Sequence, residues 1–250
     1  MIELRRLAWN RATCALRQPK HLAVLFLVAA TLPWAAPRIW AASNATEAVC
    51  DVNADYALGV EDYPEAIRLH EKVLRRQPND ALAHYHLGFA YGMNHDVVGE
   101  LREYRLAEEL GLRQWDLFLN LGLLYLQRRE LRAAIDVLTI ATTLGPQHSE
   151  THFNLGLAYE RAGLLPRALR EIVASLQLEP DQPDAWNTLA IIYAEMDDYE
   201  RARAVWTKLV RSDPDYQPAR MNLAVLERMV TDGASPVRPS WLTASSESSR

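Results

Sequence analysis

The segment HYHLGFAY at residues 84–91 recurs as FLNLGLLY at residues 118–125 and as HFNLGLAY at residues 152–159, and each step is 34 residues long. A third step of the same length reaches WNTLAIIY at residues 186–193. In each segment a leucine and the final aromatic residue are four apart, so they lie on one face of an α-helix. The chain is therefore predicted to repeat one helical unit, because a period of about 20 to 50 residues is typical of repeat architectures.

A second helix is predicted in each repeat. Two further series of residues keep the 34-residue step. The first is a small residue inside the second helix, at Ala66, Ala134, Ala168 and Ala202. The second is a proline that ends this helix, at Pro78, Pro146, Pro180 and Pro214. Pro64 and Pro166 stand where the second helix begins, a place where a missing N–H costs nothing. We expect Gly156 to let the second helix of its repeat approach closely at Ala168.

The best-matched repeat carries seven residues of a known pattern, namely Trp186, Leu189, Ala190, Tyr193, Ala202, Trp206 and Pro214. This repeat resembles the tetratricopeptide repeat, a helix hairpin of 34 residues with the pattern W-x2-L-G-x2-Y, then A-x3-F, then P. The resemblance implies an all-α fold, a right-handed α-solenoid of five helix-turn-helix repeats plus a C-terminal capping helix. It also implies that stability comes from the stacking of neighbouring repeats.

The array is predicted to occupy residues 47–230. It consists of repeats at 47–80, 81–114, 115–148, 149–182 and 183–216, and of a cap at 218–230. Two repeats depart from the pattern. The second has Glu100 at the small place and Leu112 at the terminal proline, so we expect local irregularity there. The first has Asn53 and Ala57 where leucine and an aromatic residue are usual. Terminal repeats of an array are often atypical in this way.

The remaining segments differ in composition from the array. Residues 1–41 carry six basic residues and one acidic residue, although the whole chain has a net charge of −5. They are predicted to be a signal peptide cleaved near Ala41 or a single-span anchor that crosses a membrane through residues 22–40. A signal peptide and an anchor would both place the array outside the cytoplasm, and we expect the bacterial periplasm. An organellar transit peptide is the remaining alternative. Residues 231–250 are rich in Ser and are predicted to be disordered.

The resemblance also implies a concave groove lined by the first helix of each repeat. The residues that it places there are Tyr85, His86, Phe89, Leu119, Asn120, Leu123, Phe153, Asn154, Leu157, Asn187 and Ile191. They form an apolar and aromatic strip with amides beside it, and the flanking residues Asp116, Glu150, Glu160, Asp184 and Glu195 are acidic. A peptide or helix with apolar anchors and some basic charge fits such a strip. The alternatives are that the aliphatic residues pack against the next repeat and that the asparagines bridge helices.

Other classes of site find little support. The acidic net charge argues against a nucleic-acid binder, and no phosphate loop, nucleophile elbow or zinc motif occurs. His148 and His152, like His84 and His86, are close in sequence, but His84 and His152 stand at the place of the repeat's tryptophan, which is a packing place. We therefore expect no metal, no cofactor and no catalytic residue. No feature specifies an oligomeric state.

The leading hypothesis is a non-catalytic scaffold, exported or membrane-anchored, that binds a peptide or helix of a partner in its groove during assembly of an envelope complex. The alternative is an accessory subunit of a polysaccharide-export, secretion or cofactor-biogenesis machine. An enzyme in its own right is the third and weakest hypothesis.

Overall fold

The computed structural model describes residues 51–231. The described chain divides after Arg113 into two compact units. The N-terminal unit contains α1 (Val52–Gly59), α2 (Tyr63–Arg76), α3 (Ala81–Met93) and α4 (Val97–Glu109). The C-terminal unit contains α5 (Trp115–Gln127), α6 (Leu131–Leu144), α7 (Ser149–Arg161), α8 (Leu165–Leu178), α9 (Pro183–Glu195), α10 (Tyr199–Ser212) and α11 (Gln217–Thr231).

The described elements are all helices, and each odd-numbered helix up to α9 packs against the helix that follows it. These hairpins then stack, because α2 contacts α3 in the N-terminal unit while α6 contacts α7 and α8 contacts α9 in the C-terminal unit. The fold is an α-solenoid of helix-turn-helix repeats. Among residues 51–231, no helix has both the length and the apolar character needed to cross a membrane. The predictions for residues 1–41 and for nearly all of the tail concern residues outside the described range.

Every hairpin turn has the same backbone conformation. One residue with positive φ follows each first helix at a step of 34 residues, at Glu61, His95, Arg129, Gly163 and Asp197. The next N–H then donates to a carbonyl five residues back, as from Leu164 to Tyr159 at 2.8 Å. This is the Schellman motif, which closes a helix through one left-handed residue.

The helix beginnings are fixed mainly by aspartate and proline. The side chains of Asp51, Asp62, Asp80, Asp96 and Asp198 accept backbone N–H groups at the first turn of their helices. Such caps typically contribute about 1 kcal/mol each. Pro64, Pro166 and Pro183 lie within the first two positions of α2, α8 and α9, as the sequence predicts for the first two. The acidic residues of the array therefore have a structural role as well as a surface role.

In three hairpins a first-helix glycine, namely Gly88, Gly122 or Gly156, lies against a side chain of the second helix, and the neighbour of Gly156 differs from the one expected. A Cβ at Gly156 would come within 2.6 Å of Ile172 Cδ1 and 3.3 Å of the Ile172 backbone nitrogen. The nearest neighbour is thus Ile172, one turn beyond the expected Ala168, although Ala168 is itself fully buried. The equivalent Gly122 faces Leu138 in the same way.

In the second repeat, Glu100 is accommodated within a regular helix, whereas Leu112 changes how that helix ends. Glu100 is fully buried in α4, and a Cβ at Gly92 would come within 2.6 Å of its carboxyl carbon. The expected irregularity is therefore absent from the backbone of α4. Because Leu112 replaces the terminal proline, the helix ends differently: Gly111 adopts a φ of 91°, and Leu112 N–H donates to the Ala107 carbonyl at 3.0 Å. The first repeat has the shortest described first helix, α1, with 8 residues.

Candidate interaction surface

In the N-terminal unit, the predicted groove residues lie on α3. Tyr85 and Phe89 are each only 2% exposed, and the Tyr85 ring lies 5.7 Å from the ring of Tyr104 on α4. The third residue, His86, is also buried and lies 2.7 Å through Nδ1 from Asp55 Oδ1. These side chains therefore have packing and hydrogen-bonding roles inside the unit, and ligand contact by them stays a prediction.

In the C-terminal unit, the predicted groove residues lie on α5, α7 and α9. Within this unit α7 contacts both α5 and α9, so the three first helices lie side by side. Phe153 and Leu157 on α7 are half-buried. The other predicted residues are buried, namely Leu119, Asn120, Leu123, Asn154, Asn187 and Ile191. Phe153 and Leu157 are therefore the predicted groove residues with the most accessible surface.

The amide side chains take part in internal hydrogen bonds. Asn187 Oδ1 accepts from Trp206 Nε1 at 2.8 Å and from Asn222 Nδ2 at 2.9 Å, so it joins α9 to α10 and α11. Asn154 Nδ2 donates to the Glu150 carbonyl at 2.8 Å within α7. The alternative that the asparagines bridge helices thus describes Asn187, while the hydrogen bond of Asn154 lies within its own helix.

Acidic side chains near the ends of the first helices differ in exposure. Asp184 is exposed and accepts a hydrogen bond from Tyr216 OH at 2.5 Å. Burial and this bond together raise the pKa of Tyr216 above its ordinary range. Glu150 and Glu195 are half-buried, whereas Asp116 and Glu160 are buried. Negative charge is consequently most accessible at Asp184.

The histidines at the tryptophan place have the packing role expected of them. Trp186 Nε1 donates to the Pro180 carbonyl at 2.8 Å, and His84 Nε2 lies 3.0 Å from the equivalent Pro78 carbonyl. His84 Nδ1 also lies 2.6 Å from Glu103 Oε2. The bond to Glu103 raises the pKa of His84 despite burial. Burial works to raise the pKa of Glu103, but bonds from His84 and Arg102 outweigh it and the pKa is lowered.

His152 repeats the arrangement of His84 in the fourth repeat. Its Nδ1 lies 2.8 Å from Glu171 Oε2, and its Nε2 lies 3.2 Å from the Pro146 carbonyl. Histidine at this place therefore keeps the bond that tryptophan makes to the loop and adds a second bond to a carboxylate of the second helix.

One cluster was missed by the sequence reasoning. Asp55, His70 and His86 come from α1, α2 and α3, and one possible ligand atom of each lies within 4.8 Å of the others. His70 is fully buried, and burial together with the nearby His86 lowers its pKa to about 4. No motif joins these residues, because 15 or 16 positions separate neighbours in the chain. The sequence signal that was available is that the repeat before His86 has an acidic residue, Asp55, at its ninth position, which is a predicted groove position.

Comparison with solved structures finds the same fold. The structure of YrrB, described as a TPR protein with an unusual peptide-binding site, has a TM-score of 0.64 and 24% identity, and the match covers 68% of this chain and 87% of that one. A MamA structure from Desulfovibrio magneticus RS-1 has a TM-score of 0.60 and 20% identity, covering 66% and 93% respectively. At these identities the likeness shows the fold alone.

Comparison of the sequence with family models gives the family. No match is found among curated proteins. One tetratricopeptide repeat model matches residues 52–111 and 119–185, and a second matches residues 161–225. Together they match part of every predicted repeat and enter the capping helix, leaving residues 112–118 unmatched. The chain belongs to the tetratricopeptide repeat family.

Proposed function

We propose that this protein is a non-catalytic scaffold that binds a peptide or helix of a partner protein on the first-helix face of its C-terminal unit. The observation that carries the proposal is the side-by-side packing of α5, α7 and α9, with Phe153 and Leu157 half-buried on the middle helix. Repeat arrays use the surface formed by successive repeats for binding. The peptide-binding site named for YrrB supports the same use of this fold.

The partner segment is proposed to carry apolar anchors and basic charge. Phe153 and Leu157 lie one helical turn apart, so a single apolar side chain of the ligand can contact both. The exposed Asp184 and the half-buried Glu150 and Glu195 are acidic. Opposite charges across an interface increase the rate and specificity of association more than its affinity. An acidic peptide is therefore a poor ligand for this surface.

The array is further proposed to act outside the cytoplasm, in assembly of an envelope complex. The support is sequence alone: the basic stretch of residues 1–20, the apolar run of residues 22–32 and the small residues around Ala41 follow the order of a signal peptide or anchor. A reporter that is active only in the periplasm, fused after residue 250, tests the location. An N-terminal sequence that begins at Ala42 would distinguish cleavage from anchoring, and an inactive reporter would exclude export.

Site-specific photo-cross-linking in cells tests the binding surface. A photoreactive amino acid is placed at Phe153 or at Leu157, and cross-linked partners are identified by mass spectrometry. Ile140 on α6 is the matched control, because it is an aliphatic residue of the same unit and is 37% exposed. The expected result is one partner recovered from both α7 positions and not from Ile140.

A pair of charge substitutions checks the result in the same cells. Leu157→Asp should abolish the cross-link from position 153, because burying a carboxylate against an apolar anchor is unfavourable. Ile140→Asp should leave that cross-link intact. Equal recovery from positions 140 and 153, or a cross-link that survives Leu157→Asp, would contradict the proposed surface.

A further inference from the structure

Two imidazoles and one carboxylate meet between α1, α2 and α3 of the N-terminal unit. Asp55 Oδ1 lies 2.7 Å from His86 Nδ1 and 3.7 Å from His70 Nε2. The two rings are 5.4 Å apart between centroids and nearly perpendicular. We propose that Asp55, His70 and His86 bind one divalent transition-metal ion, for which Zn²⁺ is the best-fitting candidate. The site rests on the N-terminal unit alone and is independent of the proposed function.

The three ligand atoms lie within 4.8 Å of one another, so binding an ion requires them to adjust toward tetrahedral separations. Bonds of about 2.0 to 2.2 Å in a tetrahedral site place ligand atoms about 3.3 Å from one another. The separation between Asp55 and His70 is slightly longer than this, and that between Asp55 and His86 is slightly shorter. When the metal takes His86 Nδ1, a hydrogen that lies between this atom and Asp55 moves to the other ring nitrogen or leaves to water. The contact then lengthens toward the coordinated distance.

The donor set and the local charge both favour a cation of this class. Imidazole nitrogen with carboxylate oxygen is a common zinc donor set, and imidazole also suits copper, iron and nickel. Besides Asp55, the carboxylates of Asp51 and Asp80 act electrostatically on His70. Hard cations such as Ca²⁺ prefer oxygen ligands only. A site with two histidines should therefore discriminate strongly against Ca²⁺.

Burial distinguishes this cluster from surface histidines that bind metal weakly. His70 is fully buried, and His86 is 8% exposed. The three side chains come from three different helices, so each is already held near the others by the packing of the hairpins. A bound ion would connect α1, which has only 8 residues, to both of its neighbours.

The competing explanation is a hydrogen-bonded network that only stabilises the first two repeats. His84 provides a matched control for it. This residue lies two positions before His86 on the same helix, is also 8% exposed, and makes a similar contact to a carboxylate, Glu103, at 2.6 Å. It is outside the three-residue cluster. His84→Gln therefore removes a buried histidine–carboxylate pair without removing a proposed ligand.

The test is calorimetric titration of the chelator-treated full-length protein with Zn²⁺, with Ca²⁺ as the unsuitable ion. We expect one Zn²⁺ per chain and no Ca²⁺ binding. His70→Gln, His86→Gln and Asp55→Asn should each weaken Zn²⁺ binding by at least the roughly 10- to 100-fold that loss of a supporting partner costs at metal sites. His84→Gln should change it by less than about 10-fold, the lower end of that range, because His84 is not a ligand. Variants are compared only where the helical circular dichroism spectrum is native.

X-ray absorption of the zinc-loaded wild-type protein gives a second measurement that needs no variant. It should show two imidazole nitrogens and a carboxylate oxygen at about 2.0 to 2.2 Å. Absence of stoichiometric Zn²⁺ binding would overturn the proposal. So would binding that survives all three ligand substitutions, or that is weakened equally by His84→Gln, or a spectrum dominated by sulfur ligands from Cys14 or Cys50.

Discussion

Replacing Gly163 by alanine should lower the free energy of unfolding, whereas replacing His95 by glycine should raise it. Both residues occupy the left-handed position of a hairpin turn, with φ of 72° and 64°. A residue with a Cβ is strained in this conformation because its Cβ approaches a carbonyl oxygen, whereas glycine is not. The two turns have the same backbone hydrogen bonds, so opposite substitutions at equivalent positions should have opposite effects.

The magnitude follows from two terms of opposite sign. The left-handed conformation costs a residue with a Cβ about 1–2 kcal/mol. Alanine recovers about 0.4–1 kcal/mol, because it restricts the unfolded chain more than glycine does. A Cβ at Gly163 would have no other atom within 4 Å, so no steric term is added. The expected net change is about 1 kcal/mol, as a loss for Gly163→Ala and a gain for His95→Gly.

Urea denaturation followed by circular dichroism measures both changes as shifts of the midpoint at constant slope. Gly59→Ala is the control, since Gly59 also has open space around a Cβ but lies in α1 without a positive φ. There alanine should be neutral or stabilising by helix propensity. A neutral Gly163→Ala, or a His95→Gly variant less stable than the parent, would refute the assignment of strain to this turn.

Three further predictions concern the packing and the buried pairs. Gly156→Val should destabilise the protein by about 1–3 kcal/mol in urea denaturation, because its branched side chain overpacks Ile172; a neutral effect would contradict the close contact. Trp206→Ala should cost about 3–5 kcal/mol, since the ring is fully buried; a cost below about 1 kcal/mol would contradict its central place in the core. The difference in stability between the parent and His84→Gln should be greatest between pH 4.5 and 6.5. Glu103 has a lowered pKa, so its contribution to the free energy of unfolding is present above its unfolded pKa of 4.5. His84 has a raised pKa, so its contribution is fully present below its unfolded pKa of 6.5 and is lost as the pH rises through the raised pKa. A stability difference that grows above pH 7 would contradict the pairing.

The fold follows from the sequence because one 34-residue period aligns every recurring feature. Helices α3, α5, α7 and α9 begin at Ala81, Trp115, Ser149 and Pro183, which are the first residues of the predicted repeats. Periodicity of this kind reports which positions are equivalent. It therefore predicts the hairpins and their order without knowledge of any single contact.

Contacts between particular side chains were harder to predict. The period places Ala168 in the helix facing Gly156, but the rotation of that helix decides that Ile172 is the nearest neighbour. The family pattern likewise marks Tyr85 and Phe89 as groove positions, but it contains no information on how deeply these rings are buried. Burial depends on the side chains around a residue, and a repeat pattern describes only the residue's own place.

Not all of the acidic charge of the array is available to attract a basic partner, because part of it caps helices. Several acidic side chains already accept backbone N–H groups at helix beginnings, as Asp62 and Asp198 do. These carboxylates interact favourably with the positive end of the helix dipole, so part of their field is already compensated. Asp184 and Glu150 also lie in first turns, but Asp198 is in addition ion-paired with Arg201. Asp184 is the most exposed acidic residue on the first helices of the C-terminal unit, so it should contribute most to the attraction for a basic ligand, with smaller contributions from Glu150 and Glu195. Asp184→Asn should accordingly slow association of a basic peptide more than Asp198→Asn does, although both substitutions remove one negative charge from the same unit.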